Sequence, residues 1–359
     1  MNLPNHGANP LRLYKQAGIE PPATIVDFSE NIHPLGPPSF IEGNWLDYRH
    51  LLTAYPDPEG EPFRTAAAAY HYLEKGCIAP ANGAAEVFTW LASRYRGKGV
   101  ALVEPAFSEY RQTLEAEHAV IKEIQLTDAL DWKLDVDSLT LPLENCAALY
   151  ICNPHNPTGN LLSVENLKRV ADVCSSKGCE LVIDEAFIDF IGEEASFSKH
   201  LQAYPNVIIV RSMTKMYAIA GLRLGYVMAS PETIQQLTFG AAHWNVNALA
   251  IAIGSSCFRE EGYRKRVIQL SNDERSKMIG FLSERDCRFT DAKANFLSFT
   301  LPSEKDHDLF FHDMLKKGIV LRHTYSFKGM DGLWFRIGMK SEFAMKRLRE
   351  EMTLWLAEH

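Results

Sequence analysis

Three things are scarce in this chain, and each scarcity excludes a class of protein. Cysteine is sparse and unpaired: seven residues, at 77, 146, 152, 174, 179, 257 and 287, with no CxxC spacing. A disulfide framework or a thiolate zinc site needs tighter pairing, so buried structural thiols and no metal site are expected. No apolar run approaches the roughly 18 residues of a membrane span, and the stretch from Met1 to Pro10 is polar, without the apolar core of a signal peptide. A cytoplasmic location is the corresponding expectation. Positive charge is also short, with 37 Lys and Arg against 45 Asp and Glu, a formal charge of −8. No long basic run interrupts that balance, which argues against a nucleic-acid partner held through its phosphates.

What remains is an ordinary globular composition, 46% hydrophobic and 23% charged, in 359 residues. That length suits one large α/β domain with a smaller companion. Short apolar runs at 100–104, 119–126, 147–153, 180–184, 207–212 and 224–229 alternate with helical segments, the pattern of βαβ units around a mainly parallel sheet. The stretch after Ser163 shows it best. Ser163 is a plausible N-cap, Leu167, Val170, Ala171 and Cys174 recur at helical spacing, Gly178 ends the helix, and a strand follows at once. Beyond Pro231 long helical stretches take over. The last third reads as strand, helix, strand, strand, helix at 295–299, 306–317, 319–323, 334–338 and 342–355, an α+β pattern. The division expected is an N-terminal arm with part of the small domain (1–45), a large domain (46–260) and a C-terminal small domain (261–359). The arm, rich in Pro and Asn, reads as extended.

Four polar features fall where strands end or helices begin, the places where open α/β sheets bind ligands. Asn153-Pro-His-Asn-Pro-Thr-Gly159 presents Asn amides in a turn, although ordinary loop chemistry explains it equally well. Asp184-Glu-Ala closes an apolar strand. A carboxylate there needs a cation or strong donor, from a ligand or from a structural ion pair. In Arg211-Ser-Met-Thr-Lys215, followed by Gly221-Leu-Arg223, a lysine stands after a strand among hydroxyls with an arginine near. Desolvation and a neighbouring cation lower the pKa of such an amine and make it a nucleophile, suited to a Schiff base beside a phosphate site. Ala81-Asn-Gly-Ala-Ala-Glu86 opens a helix with small residues, where backbone N–H groups can reach an anion.

Taken together, the ordered set NPxNPTG, DEAF, SxTKxY and GLRLGY resembles the fold-type-I pyridoxal-phosphate enzymes of the aspartate aminotransferase superfamily. The likeness runs from about His6 to Trp355, with Asp184 and Lys215 31 residues apart. It implies pyridoxal 5'-phosphate as cofactor, on a large domain with a mainly parallel sheet plus a smaller α+β domain. Lys215 would hold the cofactor covalently, Asp184 would pair with its pyridine nitrogen, Asn156 would donate to its phenolate oxygen and Phe107 would stack on its ring. Gly83, Ala84, Ser212 and Arg223 would take its phosphate. Tyr55, in Ala54-Tyr-Pro-Asp57, resembles a tyrosine that reaches the neighbouring subunit's cofactor, which implies a homodimer. Arg336 matches the arginine that grips the substrate carboxylate.

Within the superfamily, His6-Gly7-Ala8-Asn9, the segment Asp27-Phe-Ser-Glu-Asn-Ile-His-Pro-Leu-Gly36 and Phe187 are similar to the threonine-phosphate decarboxylases of cobalamin biosynthesis. Histidinol-phosphate aminotransferases are the alternative. Glu30, His33 and His155 depart from the decarboxylase pattern, and Glu30-Asn31 is shared with the aminotransferase. The resemblance makes His6, Gly7, Asn31, Asn156, Arg322 and Arg336 the substrate-binding candidates, for a small phosphorylated amino acid. A non-catalytic sensor with this fold is a remote alternative, because such proteins carry an added domain or lack the lysine.

Overall fold

A computed structural model of the chain describes residues 3–4 and 7–359. Strands are numbered in chain order: β1 Val26–Asp27, β2 Ile78–Ala81, β3 Gly99–Glu104, β4 Val120–Gln125, β5 Ala148–Cys152, β6 Glu180–Asp184, β7 Val207–Ser212, β8 Gly225–Met228, β9 Arg288–Phe289, β10 Phe296–Thr300, β11 Ile319–Val320, β12 Arg322–His323 and β13 Phe335–Gly338.

Seven of them form one sheet in the order β2-β8-β7-β6-β5-β3-β4. Neighbours from β7 through β4 pair in parallel, and only β8 runs against its neighbours. Successive residues of these strands face opposite sides. Leu149, Ile151, Leu181, Ile183 and Ile209 enter one core, while Ala148, Tyr150, Val182, Ile208 and Val210 enter the other. Burial on both faces explains why the strands read as unbroken apolar runs instead of alternating ones. The α/β class and the mainly parallel sheet are as expected, with strand ends within a residue or so of the sequence reading.

Strand β2 went unread because it contains Pro80, which cannot donate to a ladder. It is tolerated because β2 lies at the sheet edge. The arm is not uniformly extended. Residues Pro10–Ala17 form a helix capped by the Asn9 side chain, with Pro10 at its first position, where a missing N–H costs nothing.

A four-stranded antiparallel sheet, β12-β13-β10-β9, carries a separate core that includes Phe310, Phe335, Ile337 and Trp355. Leu13, Tyr14 and Phe28 from the arm are buried in it. The single strand expected at 319–323 is divided. Ile319–Val320 pairs in parallel with β1 from the arm, and Arg322–His323 pairs with β13. All seven cysteines are free and buried. Among the described residues, no helix is long and apolar enough to cross a membrane.

Candidate active site

Parallel strands place their C-terminal ends on one edge, so Asp184 at the end of β6 and Ser212 at the end of β7 come to the same rim. There they meet the N-terminus of helix Ala84–Arg94, the loop after β5, the arm and the strands β12 and β13. The cavity between them is about 410 Å³ and is lined by Gly7, Asn31, Ala84, Phe107, Asn156, Asp184, Ser212, Lys215, Arg223, Arg322 and Arg336, among others. Gly83 stands behind Ala84, with φ of +79°, and a Cβ there would lie 2.7 Å from Arg223 Nη2. A side chain at this position would displace the guanidinium.

Two expected residues are not in this group. His6 lies outside the described residues. Tyr55 is 82% exposed and packs on Trp244, ring centroids 5.0 Å apart, away from the cavity.

Asp184 is buried, which raises its pKa. The Tyr110 hydroxyl, the Ala186 N–H (2.9 Å) and the charge of Lys215 oppose that rise by favouring the anion. Burial pushes the Lys215 pKa down. Asp184 counters this, and the nearby Arg223 adds to it. The Lys215 amine donates to Ser212 Oγ at 3.4 Å and lies 5.7 Å from the centre of the Phe187 ring. Among the described residues, the one other acidic group lining the cavity is Glu30, which Lys340 holds at 2.9 Å.

The opposite wall is cationic. Arg322 and Arg336 are directly paired residues of antiparallel β12 and β13, and both are buried. Arg336 donates from Nη1 to Asn156 Oδ1 (2.6 Å) and from Nη2 to the Ser29 carbonyl (2.7 Å), while its Nε has no hydrogen-bond partner among the described residues. No carboxylate pairs with it among the described residues. Burial and the neighbouring Arg322 lower its pKa to about 9, and the charge of Asp27 opposes this only in part. Arg322 donates to the His323 carbonyl (2.9 Å) and to Ser326 Oγ (2.6 Å) and sits over Phe327. Asn31 also lines the cavity, and its buried Oδ1, close to Gly338, has no hydrogen-bond partner among the described residues.

Several contributors were not legible in the sequence. Tyr110 looks like a core residue of helix Ser108–Ala116, and only its hydroxyl contact with Asp184 marks it out. Ser29 lies in the segment 27–36 that carries the resemblance but was not singled out there, and Ser326 and Phe327 lie in an irregular segment with no motif. His155 and His33, which depart from the decarboxylase pattern, do not line the cavity. The His155 ring lies between Thr158 Oγ1 (2.7 Å) and the Pro105 carbonyl (2.8 Å), joining two loops of the rim, and burial lowers its pKa to about 4.

The donor set suits a group with a phosphate, a protonatable ring nitrogen and a carbonyl carbon. A helix N-terminus, a hydroxyl and Arg223 form one end, Asp184 sits beneath, and a desolvated amine stands beside it. The cradle at Gly83 is open only because that residue has no side chain. The sheet and this donor set fit the fold-type-I pyridoxal-phosphate class.

The chain belongs to the aminotransferase class I and II family, which matches residues 24–351. The threonine-phosphate decarboxylase of Salmonella typhimurium is 30% identical over 345 residues, covering 96% of this chain and 94% of that protein. A histidinol-phosphate aminotransferase of Shouchella clausii is 27% identical, covering 91% and 88%. In fold, the chain matches the histidinol-phosphate aminotransferase of Sinorhizobium meliloti, solved with pyridoxal-5'-phosphate, with a TM-score of 0.85 at 20% identity, covering 98% and 95%. The protein is an enzyme, and its family implies pyridoxal phosphate.

Proposed function

We propose that this enzyme decarboxylates L-threonine O-3-phosphate, using pyridoxal 5'-phosphate, to CO2 and (R)-1-aminopropan-2-yl phosphate for the nucleotide-loop linker of cobalamin. The observation that carries this reading is the paired placement of Arg322 and Arg336 on adjacent strands, both buried and both facing the cavity of Lys215. Like charges directly opposite on a sheet repel. A substrate bearing both a phosphate and a carboxylate neutralises the two together. The Salmonella relative acts in the same sense by its name.

In this proposal Arg336 takes the carboxylate through its fork, and Arg322 takes the phosphate with help from His6, Gly7 and Asn31. Gly83, Ala84, Ser212 and Arg223 hold the cofactor phosphate, Phe107 covers the ring, and Asn156 donates to the phenolate oxygen. Asn156 Oδ1 is already engaged by Arg336, so its amide Nδ2 is the group left to donate. Asp184 holds a proton on the pyridine nitrogen, and Lys215 anchors the cofactor and moves a proton at the substrate α-carbon. When bound, pyridoxal phosphate supplies a ring that takes up the electron pair of the bond broken at that carbon. Two anchored anions restrict rotation of the substrate, and that restriction decides which bond stands perpendicular to the ring. Decarboxylation follows when the carboxylate is the group so placed.

The proposal extends to assembly and organisation. Tyr55 would reach the cofactor phosphate of a second copy. The segment that carries it also exposes Trp45, Leu46 and Leu52, apolar surface that a homodimer would cover. The boundaries at 45 and 260, and a cytoplasmic location, belong to the same reading.

Glu30 on the cavity wall favours a second reading, histidinol-phosphate aminotransferase, in which this carboxylate receives a hydrogen-bond donor of the substrate. One experiment separates the two. The holoenzyme is given L-threonine O-3-phosphate alone or histidinol phosphate with 2-oxoglutarate, and CO2 and glutamate are measured. CO2 without glutamate is expected, and glutamate without CO2 overturns the decarboxylase reading. Lys215→Ala should abolish turnover in a folded protein, and activity within about tenfold of wild type would contradict its role.

A further inference from the structure

The arm segment 28–36 is held differently along its length. Four of its first five carbonyls are taken by groups of the small sheet and its flanks. The Gly338 N–H donates to Phe28 O (2.9 Å), Arg336 Nη2 to Ser29 O (2.7 Å), Asn295 Nδ2 to Asn31 O (2.7 Å) and Lys340 Nζ to Ile32 O (2.9 Å). A side chain at Gly338 would run into the Glu30 carbonyl, so the approach is close throughout. One residue later the anchoring changes sides. His33 Nε2 meets the Met216 carbonyl at 2.9 Å, and the Tyr263 hydroxyl, on helix Glu261–Ser283, donates to Gly36 O at 2.6 Å.

Met216 directly follows Lys215. The turn they share has little support of its own. Its internal backbone bond, Ala218 N–H to Lys215 O, is long at 3.4 Å, and Ala218 has φ of +50°, costly for a residue with a Cβ. His33 is 2% exposed, and its tautomer is set by its neighbours. The Leu35 N–H donates to Nδ1 (3.3 Å), so Nε2 carries the proton and gives it to Met216 O, with the Tyr263 oxygen 3.0 Å away. Tyr217, next along the turn, stacks on Tyr263 with ring planes 9° apart.

We propose that segment 28–36 is a strap fixing the lysine turn against the substrate arginine, and that His33 is its positioning residue on the lysine side. It rests on the reading of Lys215 as the cofactor lysine. Arg336 is tied to the strap through Ser29, the turn through His33, and a single peptide step between Ile32 and His33 joins the two sets of anchors. His33 touches neither cofactor nor substrate in this account. It holds the carbonyl beside Lys215, and so the place from which the amine approaches the α-carbon.

The test compares His33→Leu, which fills the space without a donor, with His33→Gln, whose terminal amide places a donor near the position of Nε2. In the holoenzyme, His33→Leu should lower kcat on the order of tenfold with KM changed far less, as a small misplacement of a reacting group does. It should also move the midpoint of the pH-dependent absorbance of the lysine–cofactor linkage. His33→Gln should restore both. Wild-type kcat and midpoint in His33→Leu would overturn the strap, as would a loss that His33→Gln does not rescue. If His33→Leu fails to fold, Tyr263→Phe must lower kcat and move the midpoint in the same direction, and no change in either overturns the proposal. Borohydride reduction of the wild-type holoenzyme with peptide mapping checks the lysine separately. A label away from Lys215 overturns both readings, whereas a label on Lys215 with an indifferent His33→Leu overturns the strap alone.

Discussion

Two arginines, Arg211 and Arg336, are both buried, and their surroundings are opposite. Arg211, on β7, meets Glu185 (3.2 Å), Asp189 (2.7 Å) and Glu193 (2.5 Å), and its pKa is held well above the ordinary range. That cluster has more negative than positive charge. Burial pushes Glu185 up to about 7, and His71 stands 3.5 Å from Glu193. Arg336, on β13, meets an amide oxygen and a backbone carbonyl, has an idle Nε, and its pKa falls to about 9. Burial is common to both, so burial does not mark a binding site. The difference is the missing counter-charge, which inside a protein is costly unless something else brings it. Arg211 completes its charge balance within the fold. In the proposed function, Arg336 receives its anion from outside.

Substitution at Arg211 should sharpen this contrast most. Arg211→Met leaves three carboxylates without their cation and should cost about 3–5 kcal/mol of stability, read from urea midpoints. Arg336→Met, by contrast, should leave the midpoint unchanged or raise it. Equal losses at both positions would break the comparison.

Arg322 should show the next effect. Arg322→Ala should weaken L-threonine O-3-phosphate by about 1.5–3 kcal/mol, the worth of a charged hydrogen bond, and raise the fraction of turnovers that transaminate. An unchanged Michaelis constant would place the phosphate site elsewhere.

Acid should act with opposite signs on three buried histidines and on Glu185, so the two contributions partly cancel. Burial holds His33, His155 and His323 at about 4, 4 and 3 against 6.5, so the unfolded chain binds more protons below about pH 6.5. Their contribution to stability is therefore present above about pH 6.5 and lost as pH falls toward 4. Glu185, raised to about 7 from 4.5, contributes the other way and gains stability over much of that range. Each group is worth about 1.4 kcal/mol per pH unit between its two values. Urea midpoints from pH 7 to 4 should fall, less steeply in His323→Asn and more steeply in Glu185→Gln. A variant order opposite to this would contradict the assignment.

The same contrast explains what the sequence disclosed. The proposed cofactor side is built from contiguous motifs at the ends of neighbouring parallel strands, so Asp184, Ser212, Lys215 and Arg223 are visible in order along the chain. The proposed substrate side is assembled across long separations. Arg336 reaches the carbonyl of Ser29, and Lys340 reaches Glu30, contacts between the two ends of the chain that no local pattern announces. Arg322 and Arg336 were legible as residue types, but their pairing across β12 and β13 depends on a strand that changes sheets at Leu321. His33 was visible only as a departure from a pattern. Its partner, a backbone carbonyl beside Lys215, has no signature in sequence.

The central claim is that the counter-charge missing at Arg336 is the substrate's carboxylate. The direct test is calorimetric binding to wild-type and Arg336→Met holoenzymes of two ligands, L-threonine O-3-phosphate, under single-turnover conditions where it reacts, and (R)-1-aminopropan-2-yl phosphate, which lacks the carboxylate. Loss of a charged hydrogen bond predicts roughly a 10- to 150-fold weaker grip on the amino acid and little change for the amine phosphate. An equal loss for both ligands would mean that Arg336 does not hold the carboxylate.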